Sequence, residues 1–200
     1  MPPPGCSVSN ERSLARDFIA SSHRDIPMLR FFLPHLTDSG VFRWSEALPR
    51  GEELTGSVCW SEVSNRFTDR GGKLPLTLQP CGGMVDANTA NALRETLDGL
   101  TLTGAWWIGY ADAIRHGSRW NEDSDYTLRT FDPTKLREGM QLPEFCWDDA
   151  GTFAWGGRLY PDSFIVAAEQ RLYHQFSNDP RLDTVEVTPN RDVLPVSSGD

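Results

Sequence analysis

The chain is nearly without lysine: of its 19 basic residues only Lys73 and Lys135 are not arginine, and no run of basic residues occurs. Against 28 acidic residues this leaves a formal net charge of −9, so the average surface repels phosphate backbones and anionic headgroups. Nucleic acid and membrane surfaces are therefore not expected partners. Long apolar stretches are also missing. The longest, such as Phe164 to Ala168, run about five residues, where about 20 are needed to span a bilayer. The start, Met1-Pro2-Pro3-Pro4-Gly5-Cys6, lacks a charged region followed by an apolar one, which argues against a secretory signal and for a cytoplasmic protein. Cys6, Cys59, Cys81 and Cys146 form no CxxC pair, and His23, His35, His116 and His174 form no HxH, HExxH or Hx3H motif. No metal and no other cofactor is expected from such spacing, and the cysteines read as free thiols. Cys59 and Cys146 each precede a tryptophan, which suits packed core better than a nucleophile.

What the chain has instead is tryptophan, seven in 200 residues, two of them adjacent in Gly104-Ala105-Trp106-Trp107-Ile108-Gly109-Tyr110-Ala111. Neighbouring side chains of a strand point to opposite faces, so Trp106 and Trp107 need separate packing environments. At 38% hydrophobic and 24% charged, the composition is that of an ordinary globular protein of one domain.

A pass along the chain predicts a flexible tail over residues 1–10, a single domain over 11–188 and a second flexible tail over 189–200. The domain opens with an amphipathic helix from near Asn10, which Pro27 interrupts. The apolar crowd Met28, Leu29, Phe31, Phe32, Leu33 and Leu36 fits either a buried helix start or a strand. A strand is expected at Val41–Trp44, a helix over Ser61–Phe67 and a surface connection from Lys73 to Gly83. The clearest helix is Asp86–Leu97, where Val85, Thr89, Leu93 and Leu97 recur every four residues, Asp86 is the N-cap and Gly99 the stop. Strands follow at Leu102–Ala111, Tyr126–Phe131, Phe145–Trp147, Thr152–Trp155 and Phe164–Ala168. A helix over Glu169–Ser177 and an edge strand at Asp183–Val187 complete the order. Without regular βαβ repetition, the fold class is α+β, a mostly antiparallel sheet packed with several helices.

Several of these segments, in this order, resemble a family of uncharacterised cytoplasmic proteins common in actinobacteria. The likeness runs through Val41-Phe42-Arg43-Trp44, Trp60-Ser61-Glu62-Val63, Thr101-Leu102-Thr103 and Ala105-Trp106-Trp107-Ile108-Gly109-Tyr110, and it ends with Asp179-Pro180-Arg181-Leu182-Asp183-Thr184-Val185-Glu186-Val187. Leu159 to Glu169 looks like the family's Trp-Pro-x-Asp-Arg-x-Trp-x-Val-x-x-Glu strand. Here Ser163 replaces the arginine, and Phe164 or Ile165 the second tryptophan. A glycine-rich insertion before the last helix is missing. The resemblance covers roughly residues 30 to 190 and implies fold and location, with no activity attached.

Two function classes follow from the residues. The first is a non-enzymatic binding or regulatory protein, of the immunity type by analogy, that meets a protein partner with an acidic, aromatic-lined face. Its candidate residues are Trp107, Tyr110, Trp120, Glu122, Asp123, Asp125 and Trp155, with Trp120 and Trp155 expected to be partly exposed because their surroundings are polar or glycine-flanked. The second is a small-molecule enzyme with a pocket around Trp107, Tyr110, Asp112 and His116, where Asp112 and His116 would act as general acid and base. Asp148-Asp149 before Gly151 fits a hairpin turn with solvated acids better than a carboxylate pair or a divalent cation site.

Overall fold

The computed structural model describes residues 26–37, 40–69, 71, 83–107, 126–157 and 162–188. Among them the strands are β1 (Met28–Phe32), β2 (His35–Thr37), β3 (Gly40–Phe42), β4 (Leu102–Trp107), β5 (Tyr126–Phe131), β6 (Phe145–Asp148), β7 (Phe153–Gly157), β8 (Ser163–Ala168) and β9 (Asp183–Val187). The helices are α1 (Trp44–Ala47), α2 (Trp60–Asp69), α3 (Ala87–Thr96) and α4 (Gln170–Asn178), with a 3-10 turn at Pro133–Lys135. The expected tails, the first helix and the Lys73–Gly83 connection fall wholly or almost wholly outside the described residues.

Seven strands make one sheet in the order β5-β4-β6-β7-β8-β1-β9, and every pairing is antiparallel. This is the expected α+β class in a single domain, with β2 and β3 as a separate hairpin. The segment that fitted helix or strand is a strand because it lies between two neighbours: Phe31 stands opposite Phe164 of β8 and Thr184 of β9. Val41–Trp44 divides differently from the expectation. The strand ends at Phe42, and Trp44 begins α1, whose indole Nε1 donates to the Leu33 carbonyl at 3.0 Å. α3 starts as predicted, with the Asp86 carboxylate accepting from the backbone N–H groups of Asn88 and Thr89, and Gly99 takes φ +78° just after it.

Strand alternation sorts the core into two clusters. One sheet face carries Leu29, Phe31, Leu102, Phe131, Cys146, Trp155 and Phe164, and it is covered by Leu93 of α3 and Leu172 and Phe176 of α4. On the opposite face of β1, Phe32 packs with Trp44, Ala47, Val58 and Val63 in a second cluster built from α1, α2 and the segment between them. Trp44 and Trp60 approach at 5.1 Å, and His35 lies buried beside both.

The double indole behaves as its position in a strand requires. Trp106 packs against the larger cluster, its ring 6.1 Å from Phe131, so that Trp107 is turned to the other face. The Trp106 ring folds back over Gly104: a Cβ there would lie 2.6 Å from the ring and 3.0 Å from Pro143. The Arg129 guanidinium sits 4.4 Å from the Trp106 ring centroid. Gly104→Ala is therefore expected to destabilise the protein by about 1–3 kcal/mol through forced repacking, read as a lower denaturant midpoint with an unchanged slope.

The Asp148–Gly151 turn is a hairpin, as expected, but Asp148 is not solvated. It is 5% exposed, its Oδ1 accepts from the backbone N–H groups of Thr152 and Phe153 at 2.8 Å, and its Oδ2 accepts from the Thr152 hydroxyl at 2.6 Å. The carboxylate closes the turn. Asp148→Ala should cost about 3 kcal/mol in a chemical denaturation curve, because it strands buried donors; Asp148→Asn should recover part of that loss.

Candidate functional site

Of the residues selected from sequence, Trp107 and Trp155 are described, whereas Tyr110, Asp112, His116, Trp120, Glu122, Asp123 and Asp125 lie outside the described residues. Trp155 is not a surface aromatic. It is 1% exposed, its Nε1 donates to the Pro143 carbonyl at 3.0 Å, and it touches Phe131, Phe153 and Phe164. The flanking Gly156 suggested openness, yet strand alternation turns the indole into the main core, so Trp155 is withdrawn from the binding face.

Trp107 ends β4 half-buried, and its backbone N–H donates to Glu144 Oε2 at 2.9 Å. Glu144 is completely buried: its own N–H donates to the Ala105 carbonyl and its carbonyl accepts from Gly157 at 2.7 Å. A buried carboxylate against the end of β4 carried no signal in the sequence, because Pro143-Glu144-Phe145 reads as an ordinary strand entry. Cys146 is fully buried, and burial, reinforced by the Asp148 charge, pushes its thiol well above the usual range, so it is packed core as expected. Among the described residues, no group of three or more His, Cys, Asp or Glu is placed to hold a metal ion. No helix among them is long and apolar enough to cross a membrane.

The described surface carries one feature that sequence reasoning missed. A groove of about 540 Å³ runs between α1 with its following loop on one side and the end of α4 with the turn into β9 on the other. Leu48, Leu54, Leu182 and Val185 give it an apolar floor, and Glu52, Glu53, Asp179 and Asp183 give it carboxylates. These residues come from segments more than 100 positions apart, so no linear motif could announce them.

The four acids differ in their surroundings. Glu52 meets Arg66 at 3.3 Å, and Asp179 meets Arg181 at 2.6 Å. Asp183 accepts from the Ser45 hydroxyl at 2.8 Å, and among the described residues neither Asp183 nor Glu53 forms an ion pair. Arg181 also reaches Glu95 at 2.6 Å, which ties α3 to the groove wall. The Arg181 hydrogen bond holds the Asp179 carboxyl below its ordinary range, against an opposing desolvation effect.

No family model, curated protein or solved structure matches the chain.

A lowered carboxyl pKa stabilises the fold above the ordinary aspartate range, and that contribution is lost as pH falls through the lowered folded value. Arg181→Gln should move the Asp179 titration upward in carboxyl-resolved NMR and shift the acid-unfolding midpoint to higher pH. Because the ion pairs are partly exposed, thermal stability at neutral pH should fall only slightly.

Proposed function

We propose that this chain is a non-enzymatic binding or regulatory protein of the immunity type, which engages a basic surface on a protein partner. The observation that carries the reading is the groove, where Glu53 and Asp183, in no ion pair among the described residues, stand beside leucine and valine side chains. Apolar contact supplies affinity at the centre of such a patch, and the surrounding charge steers the encounter and rejects acidic competitors. The net charge of −9 acts in the same sense at longer range. A cytoplasmic setting belongs to this reading, and the likeness to uncharacterised actinobacterial proteins adds no activity to it.

The test is affinity capture with the whole chain as bait, run beside a Glu52→Lys/Glu53→Lys variant of unchanged circular dichroism. A protein retained by the wild type, released by salt and bound about tenfold more weakly by the variant is the expected result. Identical capture by both baits would defeat the proposal.

One observation favours the second reading, a small-molecule enzyme. Glu144 places a fully buried carboxylate against Trp107, the residue from which the chain continues to Tyr110, Asp112 and His116. Buried carboxylates in reach of a loop are common at catalytic sites, and the same bond caps the end of β4. A thermal-shift screen with nucleotides, metabolites and divalent cations separates the two readings. A ligand-specific rise lost in both Glu144→Gln and His116→Ala would displace the binding module in favour of the enzyme.

A further inference from the structure

The groove is also the edge of the sheet. β9 is the last strand in the order, and among the described residues it pairs only with β1. Three consecutive β9 residues, Asp183, Thr184 and Val185, line the groove, so it runs along the outermost strand. An edge strand presents unpaired N–H and C=O groups on alternate residues and is a template for another strand. Proteins commonly guard such edges with lysine, proline or a bulge. β9 is Asp183-Thr184-Val185-Glu186-Val187, pairs with β1 in unbroken register over all five residues, and has no lysine or proline. Its guards are two acids.

We propose that the groove takes an extended basic segment of the protein partner as an eighth strand, hydrogen-bonded to the outer edge of β9. This rests on the reading of the chain as an acidic binding module and names how that module binds. Charge selects the occupant. A second copy pairing through its own β9 would crowd the Asp183 and Glu186 carboxylates of both chains along one shared edge, with Glu53 adding to the repulsion. Asp183 and Val185 share one face of β9, so a strand with arginine or lysine at alternate positions turned to that face meets Glu53 and Asp183 with its charged ends while its aliphatic stems lie on Leu48, Leu54 and Val185. Three strand residues span about 10 Å, so the groove engages roughly three to four residues of the incoming segment. Main-chain bonds then give affinity, and the alternate side chains give selectivity.

The test uses the full chain and a synthetic peptide of alternating arginine and valine, with two further peptides N-methylated on one or the other alternate set of amides. Fluorescence anisotropy reads affinity, and amide hydrogen exchange reads the β9 backbone. Strand addition predicts that the unmodified peptide binds and slows exchange at β9. It also predicts that methylation of one set weakens binding roughly tenfold or more while methylation of the other set leaves it nearly unchanged. Glu53→Lys should weaken binding about tenfold. If both methylated peptides bind like the parent and β9 exchange does not change, while Glu53→Lys still weakens binding, strand addition is overturned and the acidic binding module stands. If the peptide does not bind, or binds with no dependence on Glu53, both fall. A concentration-dependent dimer in sedimentation with β9 protected before any peptide is added would assign the edge to a second copy and overturn the proposal.

Discussion

The requirement that β1 be packed on both faces organises this protein. Leu29, Phe31 and the adjoining Leu33 enter the larger cluster, whereas Phe32 enters the smaller one. Between them Arg30, only 4% exposed, sits on the Phe32 side: its Nε donates to the Ser163 hydroxyl at 3.0 Å, and its Nη1 donates to the carbonyls of Gly56 and Val58. Its guanidinium also lies 4.5 Å from the Phe32 ring centroid. A buried charge is tolerated only when its hydrogen bonds are satisfied, and here they fasten the 56–58 loop to the sheet. Through that loop the smaller cluster, and with it one wall of the groove, is held in place.

The other wall depends on a different set of contacts. The end of α4 and the turn into β9 are fixed by Phe176 and Leu182 in the larger cluster and by Arg181 bridging Asp179 and Glu95. The groove therefore lies where the two clusters meet at the edge of the sheet, a seam with apolar side chains from both and three residues of β9. Such a seam needs no catalytic group to be useful. It brings together apolar side chains, two carboxylates that form no ion pair among the described residues and a strand edge, the features on which the proposed strand addition rests.

Local signals that the folded protein kept were those whose partner is nearby in the chain. Asp86 caps α3 within three residues, Asp148 closes its own hairpin, and the Asp183–Val187 alternation marks a strand because Val185 and Val187 alternate with Thr184 and Glu186. Signals that failed depended on surroundings the window could not contain. Trp155 next to two glycines looked open, yet Phe131, Phe153 and Phe164 arrive from three strands to enclose it. Asp148 looked solvated because its neighbours are polar, and it is buried because the turn folds back over its own carboxylate.

Composition and spacing alone established an acidic, lysine-poor α+β domain, the residues of most described elements, and the need of Trp106 and Trp107 for opposite environments, since these follow from periodicity and from the geometry of a pleated chain. The strand order, the division into two cores, the burial of Arg30 and Glu144, and the meeting of Glu53 with Asp183 across a groove arose from long-range packing. Their physical origin is that burial and charge proximity are properties of which surfaces come together, and residues separated by more than 100 positions carry no shared pattern that a reading along the chain could detect.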